Sequence, residues 1–255
     1  MSSKQVDPDE LARIMETKLA RVPNLFILDR SGSMAGKRIE MVNDGLERFV
    51  TEVQGDRQAE WSIDVSVISF GSDITIDQDF RPIDDAWIDG EGNPDTPELQ
   101  PGGSTPMCEA IIEGLKHLEE YKSALDEKGI ARKRALVWLL TDGKPDMDQS
   151  PGTTKWDKAQ DLIENGTEKG ENKNPHMFFF AAAVSDDADL GTLKNLVSVG
   201  NEDVVHAFDL KEEMFREYFQ VASASAKNSA SGGQGADKED VLPEEAMDQS
   251  DSGQV

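Results

Sequence analysis

The sequence predicts an α/β protein, doubly wound, with a mostly parallel central sheet, one antiparallel edge strand and helices on both faces. Three observations predict it. Short apolar runs, "NLFIL" at 24–28, "ALVWLLT" at 135–141 and "MFFFAAAV" at 177–184, alternate along the chain with segments of helical spacing. These runs are apolar at nearly every position, the pattern of strands covered on both faces, as parallel strands are. One pair of alternating segments, "WSIDVSVISF" at 61–70 and "DITIDQDF" at 73–80, is separated only by Gly71-Ser72, which predicts a hairpin and hence the antiparallel edge.

Each element follows in order. Residues 1–21 are polar with a weak helical pattern (Leu11, Ile14, Met15, Leu19) and are expected to be an N-terminal extension, a short docking helix. The first strand is bounded by Pro23 and Asp29. Ile39, Val42, Leu46, Phe49 and Val53 then form one core-facing helical stripe. After the hairpin, residues 81–103 are rich in Pro, Gly and Asp and are expected to be a long loop, of a length that is usually functional or mobile. A helix over about 106–127 follows, with Ile111, Leu115, Leu118 and Leu125 on one face. Beyond the strand at 135–141 come a helix near 155–169, the strand at 177–184, a short helix in "LGTLKNLVSV", a strand in "DVVHAF" and a final helix in "EEMFREYFQVASASA". The expected domain covers 22–226. Residues 227–255 are acidic, rich in Gly and Ser and free of aromatics, a composition that predicts a disordered tail.

Charge and cysteine usage narrow the function classes. The 255 residues carry 51 acidic against 26 basic side chains, a formal charge of −25. Such a chain repels phosphate backbones and anionic lipid, so neither a nucleic acid nor a membrane is expected as partner. Cys108 is the single cysteine, which precludes an intramolecular disulfide and fits a reducing compartment. The N-terminal segment lacks a signal-like apolar core, and no segment reaches the roughly 18–20 apolar residues of a membrane span. A cytoplasmic monomer is expected.

Ligands of open parallel sheets collect outside the carboxyl ends of the strands. Three motifs fall at that edge: Asp29-Arg30-Ser31-Gly32-Ser33 after the first strand, "GGSTPM" with Thr105 before a helix, and "LLTDGKPD" with Asp142 closing a strand. They offer two carboxylates and three hydroxyls, all oxygen. That set suits a hard divalent cation, Mg²⁺ before Mn²⁺ or Ca²⁺. Two carboxylates neutralise one such ion, and hydroxyls add coordination without charge.

These three motifs, in this order and on these element types, resemble the von Willebrand factor A domain over roughly residues 22–222. The resemblance implies a doubly wound, Rossmann-like fold and a metal-ion-dependent adhesion site. Ser31 and Ser33 would bind the metal through their hydroxyls, Thr105 directly or through water, and Asp29 and Asp142 mainly through water. A partner protein would complete the shell with an Asp or Glu. More narrowly, "FILDRSGSMAGKRIEMVNDGL" and "LTDGKPD" resemble the bacterial tellurite-resistance TerY-like group, intracellular proteins of stress-response systems that include a phosphatase and a kinase, either of which is then an expected partner.

Each motif alone has a blander reading. Asp29, Ser31 and Ser33 are ordinary turn residues, Thr105-Pro106 is a common helix start, and Asp142-Gly143 an unremarkable turn. Only their convergence on one sheet edge favours a metal. Cys108 reads as a small buried residue, and His117, His176 and His206 have no visible partner. "GSMAGKR" departs from a phosphate-binding loop in spacing, with Arg38 where a hydroxyl is needed. A phosphatase with Asp29 as nucleophile would carry an acid at position 31, where this chain has Ser31. The expectation is therefore a binding module and not an enzyme, with Mg²⁺-dependent phosphoryl transfer through Asp29 as the alternative.

Overall fold

The computed structural model describes residues 19–83, 87–89, 91–142, 144–167, 176–184, 190–200, 205–210 and 215–231. The expected docking helix at 1–21 falls almost wholly outside these residues, as does the tail beyond Ser231.

Six strands form one sheet in the order β3-β2-β1-β4-β5-β6. They are β1 Val22–Asp29, β2 Ile63–Phe70, β3 Ile74–Pro82, β4 Ala135–Thr141, β5 Met177–Val184 and β6 Val205–Leu210. Every pairing is parallel except β2 with β3, the expected antiparallel edge hairpin. The helices are α1 Lys37–Gln54, α2 Arg57–Ser62, α3 Met107–Glu127, α4 Thr154–Thr167, α5 Leu190–Val197 and α6 Phe215–Ser231. Helix α6 runs to Ser231, past the boundary at 226 expected from sequence.

The side-chain alternation of a strand explains the two layers. In β1, Phe26 and Leu28 join Leu46, Phe49, Phe219 and Ala222 of α1 and α6 in one core. Leu25 and Ile27 point the other way, to Ile111, Leu115 and Leu118 of α3, with Trp156 and Ile163 of α4 in the same core. Trp138 of β4 stacks on Phe180 of β5, with ring centroids 4.1 Å apart. Helix α1 lies against α6 at Gly45, where any side chain would run into the Phe219 ring. Helix α2 was not expected. Asp56 caps it by accepting from the backbone N–H groups of Gln58 and Ala59, at 2.9 and 3.1 Å. Trp61 and Ser62 therefore close a helix rather than open β2.

The connections explain where a site arises. From β1 the chain moves through α1 and α2 to β2 on one side, and α3 returns it to β4 on the other side of β1. Neighbouring strands β1 and β4 thus send their following loops in opposite directions, which opens a crevice at their carboxyl ends. Asp29 ends β1 and Asp142 follows β4.

Candidate functional site

Asp29 is fully buried at the end of β1. One carboxylate oxygen accepts from the Ser31 backbone N–H at 2.7 Å, and the other accepts from the Thr141 hydroxyl at 2.6 Å. Burial pushes its pKa up to about 6; the Thr141 and Ser31 hydrogen bonds oppose that rise, and the neighbouring negative charge of Asp142 adds to it. The pocket thus holds a carboxylate whose charge is poorly compensated.

Ser31 begins a single turn of 3-10 helix, Gly32–Met34, which Met34 anchors in the core. The turn brings the Ser31 and Ser33 hydroxyl oxygens to 3.0 Å from each other. The Ser33 hydroxyl donates to Asp142 Oδ1 at 2.8 Å. The Asp142 carboxylate is buried, and its other oxygen accepts from Arg38 Nη1 at 2.6 Å. The same Arg38 nitrogen donates to the Ser33 carbonyl at 3.2 Å. Asp29, Ser31, Ser33 and Asp142 are therefore one hydrogen-bonded chain across the β1–β4 crevice.

The loop that carries Thr105 reaches the same rim through its backbone. The Gly102 N–H donates to the Arg30 carbonyl at 2.7 Å, and the Gly32 N–H to the Gly103 carbonyl at 3.1 Å. Gly103 has φ 88°, and a side chain there would collide with the Ser72 backbone, so the paired glycines let this loop lie against the β2–β3 turn. The Thr105 N–H donates to the Asp146 carboxylate at 3.0 Å, and the Asp146 N–H returns a bond to the Thr105 carbonyl at 3.0 Å. Helix α3 starts at Met107 with Pro106 as its cap residue and no side-chain cap bond. The Thr105 hydroxyl is thus not used as a helix cap.

The sequence reading missed Thr141, Asp146 and Arg38 as site residues. Thr141 and Asp146 lie inside the quoted "LLTDGKPD", and their roles depend on partners distant in sequence. Arg38 drew notice only as a misfit in a phosphate loop; its signal was its place in the first turn of a helix, the end that disfavours a cation. Cys108 is buried, as expected. Burial above all pushes its thiol up to about 12, and it donates to the Gln149 carbonyl at 3.2 Å. His117 stacks on Phe80, and His176 contacts Lys122 Nζ at 2.7 Å. The His206 side chain lies outside the described residues.

The von Willebrand factor type A domain matches residues 25–220. The chain belongs to that family. Bovine inter-alpha-trypsin inhibitor heavy chain H3 is 27% identical over 143 residues, which is 55% of this chain and 14% of that protein. The chain thus spans a small part of the curated relative it matches. Among solved structures, the PilB minor pilin of Streptococcus sanguinis aligns with a TM-score of 0.56 at 13% identity, over 84% of this chain and 64% of its own. The vWF domain of the type V pili tip protein Mfa5 from Porphyromonas gingivalis aligns at 0.50 and 12% identity, over 86% and 99%. These likenesses show the shared fold. Domains of this family are generally metal-dependent protein-interaction modules. No described helix is long and apolar enough to cross a membrane.

Proposed function

We propose that this von Willebrand factor A domain binds a partner protein through a divalent cation held by Asp29, Ser31, Ser33, Thr105 and Asp142. The observation that carries the reading is the Ser31–Ser33–Asp142 chain. Ser33 spends its hydroxyl proton on Asp142 and accepts the Ser31 hydroxyl proton, which leaves one lone pair on Ser33 and both on Ser31 to meet a cation. Neighbouring oxygens of an octahedral shell with bonds of ~2.1 Å lie ~3.0 Å apart. The two serine oxygens stand 3.0 Å from each other. Two carboxylates and a majority of hydroxyls favour Mg²⁺, with Mn²⁺ next; Ca²⁺ prefers more oxygens and more carboxylate. The under-compensated charge of Asp29 is the electrostatic counterpart of that fit.

The cation's contribution would be to attract an Asp or Glu from the partner, which leaves the chain's own residues the task of holding the rim. Asp29 fixes the Ser31 loop, Asp142 orients the Ser33 hydroxyl, and Asp146 secures Thr105. A nucleophilic role for Asp29 is disfavoured, because both of its oxygens are hydrogen-bonded and the residue is fully buried. The resemblance of "FILDRSGSMAGKRIEMVNDGL" and "LTDGKPD" to tellurite-resistance proteins supports a cytoplasmic adaptor in a bacterial stress-response system. Its partner would then be a phosphatase or kinase of that system.

Calorimetric titration of the full chain with Mg²⁺ tests the reading. One site is expected, lost in Ser31→Ala and Ser33→Ala while both variants keep the wild-type circular dichroism spectrum. Unchanged Mg²⁺ affinity in both variants would overturn it.

A further inference from the structure

The rim carries a cation of its own. The Arg38 side chain is 32% exposed, and its guanidinium grips the inner carboxylate Asp142 and the Ser33 carbonyl with one nitrogen. Its place is costly. Arg38 is the second residue of α1, beside Lys37, where the helix dipole disfavours positive charge. Asp142 offsets that cost. The nearest described carboxylate on its own helix turn is Glu40, an exposed residue with no ion pair to Arg38.

We propose that Arg38 sets the charge balance of the metal rim, weakening its hold on a divalent cation and keeping the loaded rim from repelling an incoming carboxylate. The inference rests on the metal reading above and deepens it. Asp29, Asp142, Asp146 and Arg38 sum formally to −2. A divalent ion neutralises the rim and leaves it open to the partner's acid. Without Arg38 the sums would be −3 and −1: the cation would bind more tightly, and the loaded rim would repel an incoming acid. Arg38 thus makes the rim selective for the ternary arrangement of cation and acid over the cation alone. Because the guanidinium is partly exposed, its influence is screened and will weaken as salt rises.

The test uses the full chain, with Mg²⁺ alone and then Mn²⁺ alone as calorimetric probes, in wild type, Arg38→Gln and Arg38→Lys. Arg38→Gln is expected to bind Mg²⁺ about tenfold more tightly than wild type at low salt, with the gain shrinking in high salt. Arg38→Lys, which keeps the charge, is expected to stay near wild type. In chelator, Arg38→Gln is expected to have the lower Tm and then the larger Mg²⁺-induced rise. A purely structural Arg38 would instead give Arg38→Gln lower stability and equal or weaker Mg²⁺ affinity, and that result overturns the proposal. Mg²⁺ binding in Arg38→Gln but not in wild type would support the charge role while sinking the metal reading of the native chain. Binding in neither would sink both.

Discussion

Asp29 shows at the scale of one residue what burial costs a carboxylate. Its carboxyl group is deprotonated at neutral pH inside a pocket that raises its pKa to about 6, above the ordinary 3.8. Between those values the folded chain binds the proton more tightly than the unfolded chain. Asp29 therefore adds stability that is fully present below about pH 4 and lost as pH rises through about 6. The difference amounts to ~3 kcal/mol at neutral pH, since each pKa unit is worth ~1.4 kcal/mol. Asn at this position keeps an oxygen for the Ser31 N–H and places an amide opposite the Thr141 hydroxyl, which can accept. Asp29→Asn in chelator is thus expected to be more stable than wild type at pH 7.5 by ~1–3 kcal/mol, with the two converging near pH 4. Urea melts at both pH values measure this. The same variant is expected to lose its Mg²⁺ response. A variant less stable than wild type at pH 7.5 would contradict the assignment of burial as the cause.

Among the elements, the three loops differ in how they are held. The first is fixed by its own 3-10 turn and by Asp29. The loop around 102–105 has no regular structure and depends on close backbone approach. Gly103→Ala places a side chain at φ 88° against Ser72. It is expected to lower stability by ~1–3 kcal/mol. It should also weaken Mg²⁺ binding by displacing Thr105. Thermal melts and Mg²⁺ titration of this variant check both; full retention of both would show that the close approach is not required. The glycine pair and Thr105 were legible in sequence, but the partners that fix them were not. Arg30, Ser72 and Asp146 are separated from this loop along the chain, and only folding places them there. The long segment 81–103 shows the same limit. Its composition predicts an unstructured connection, yet Trp87 and Leu99 are buried, and the Asn43 amide holds the Leu99 backbone through bonds of 2.9 and 3.1 Å. Helix α2 was missed because "RQAEWS" is short and its Trp61 continues the apolar pattern of β2; the cap at Asp56 was its one local signal.

For the whole molecule, the fold was legible because buried parallel strands announce themselves as unbroken apolar runs. The strands 135–141 and 177–184 lie where those runs predicted. The place of the site followed from topology, since polar motifs at the ends of β1 and β4 must meet at the crevice between them. Its electrostatics did not follow. The burial of Asp29 and the pairing of Arg38 with Asp142 arise from the packed rim as a unit, and no local pattern encodes them. The overall charge of −25 also acts at this scale. Under the proposed function, it concentrates divalent cations near the chain and repels acidic partners until a bound ion offsets the local charge.

The central claim is that one divalent ion sits among three loops at this rim. Anomalous diffraction from crystals of the full chain grown with Mn²⁺ tests it most directly. The account predicts a single strong peak within bonding distance of the Ser31 and Ser33 hydroxyl oxygens and close to Thr105, absent in Ser31→Ala crystals. A Mn²⁺ peak held by other carboxylates of this acidic surface, with the Ser31–Ser33 rim empty, would contradict it.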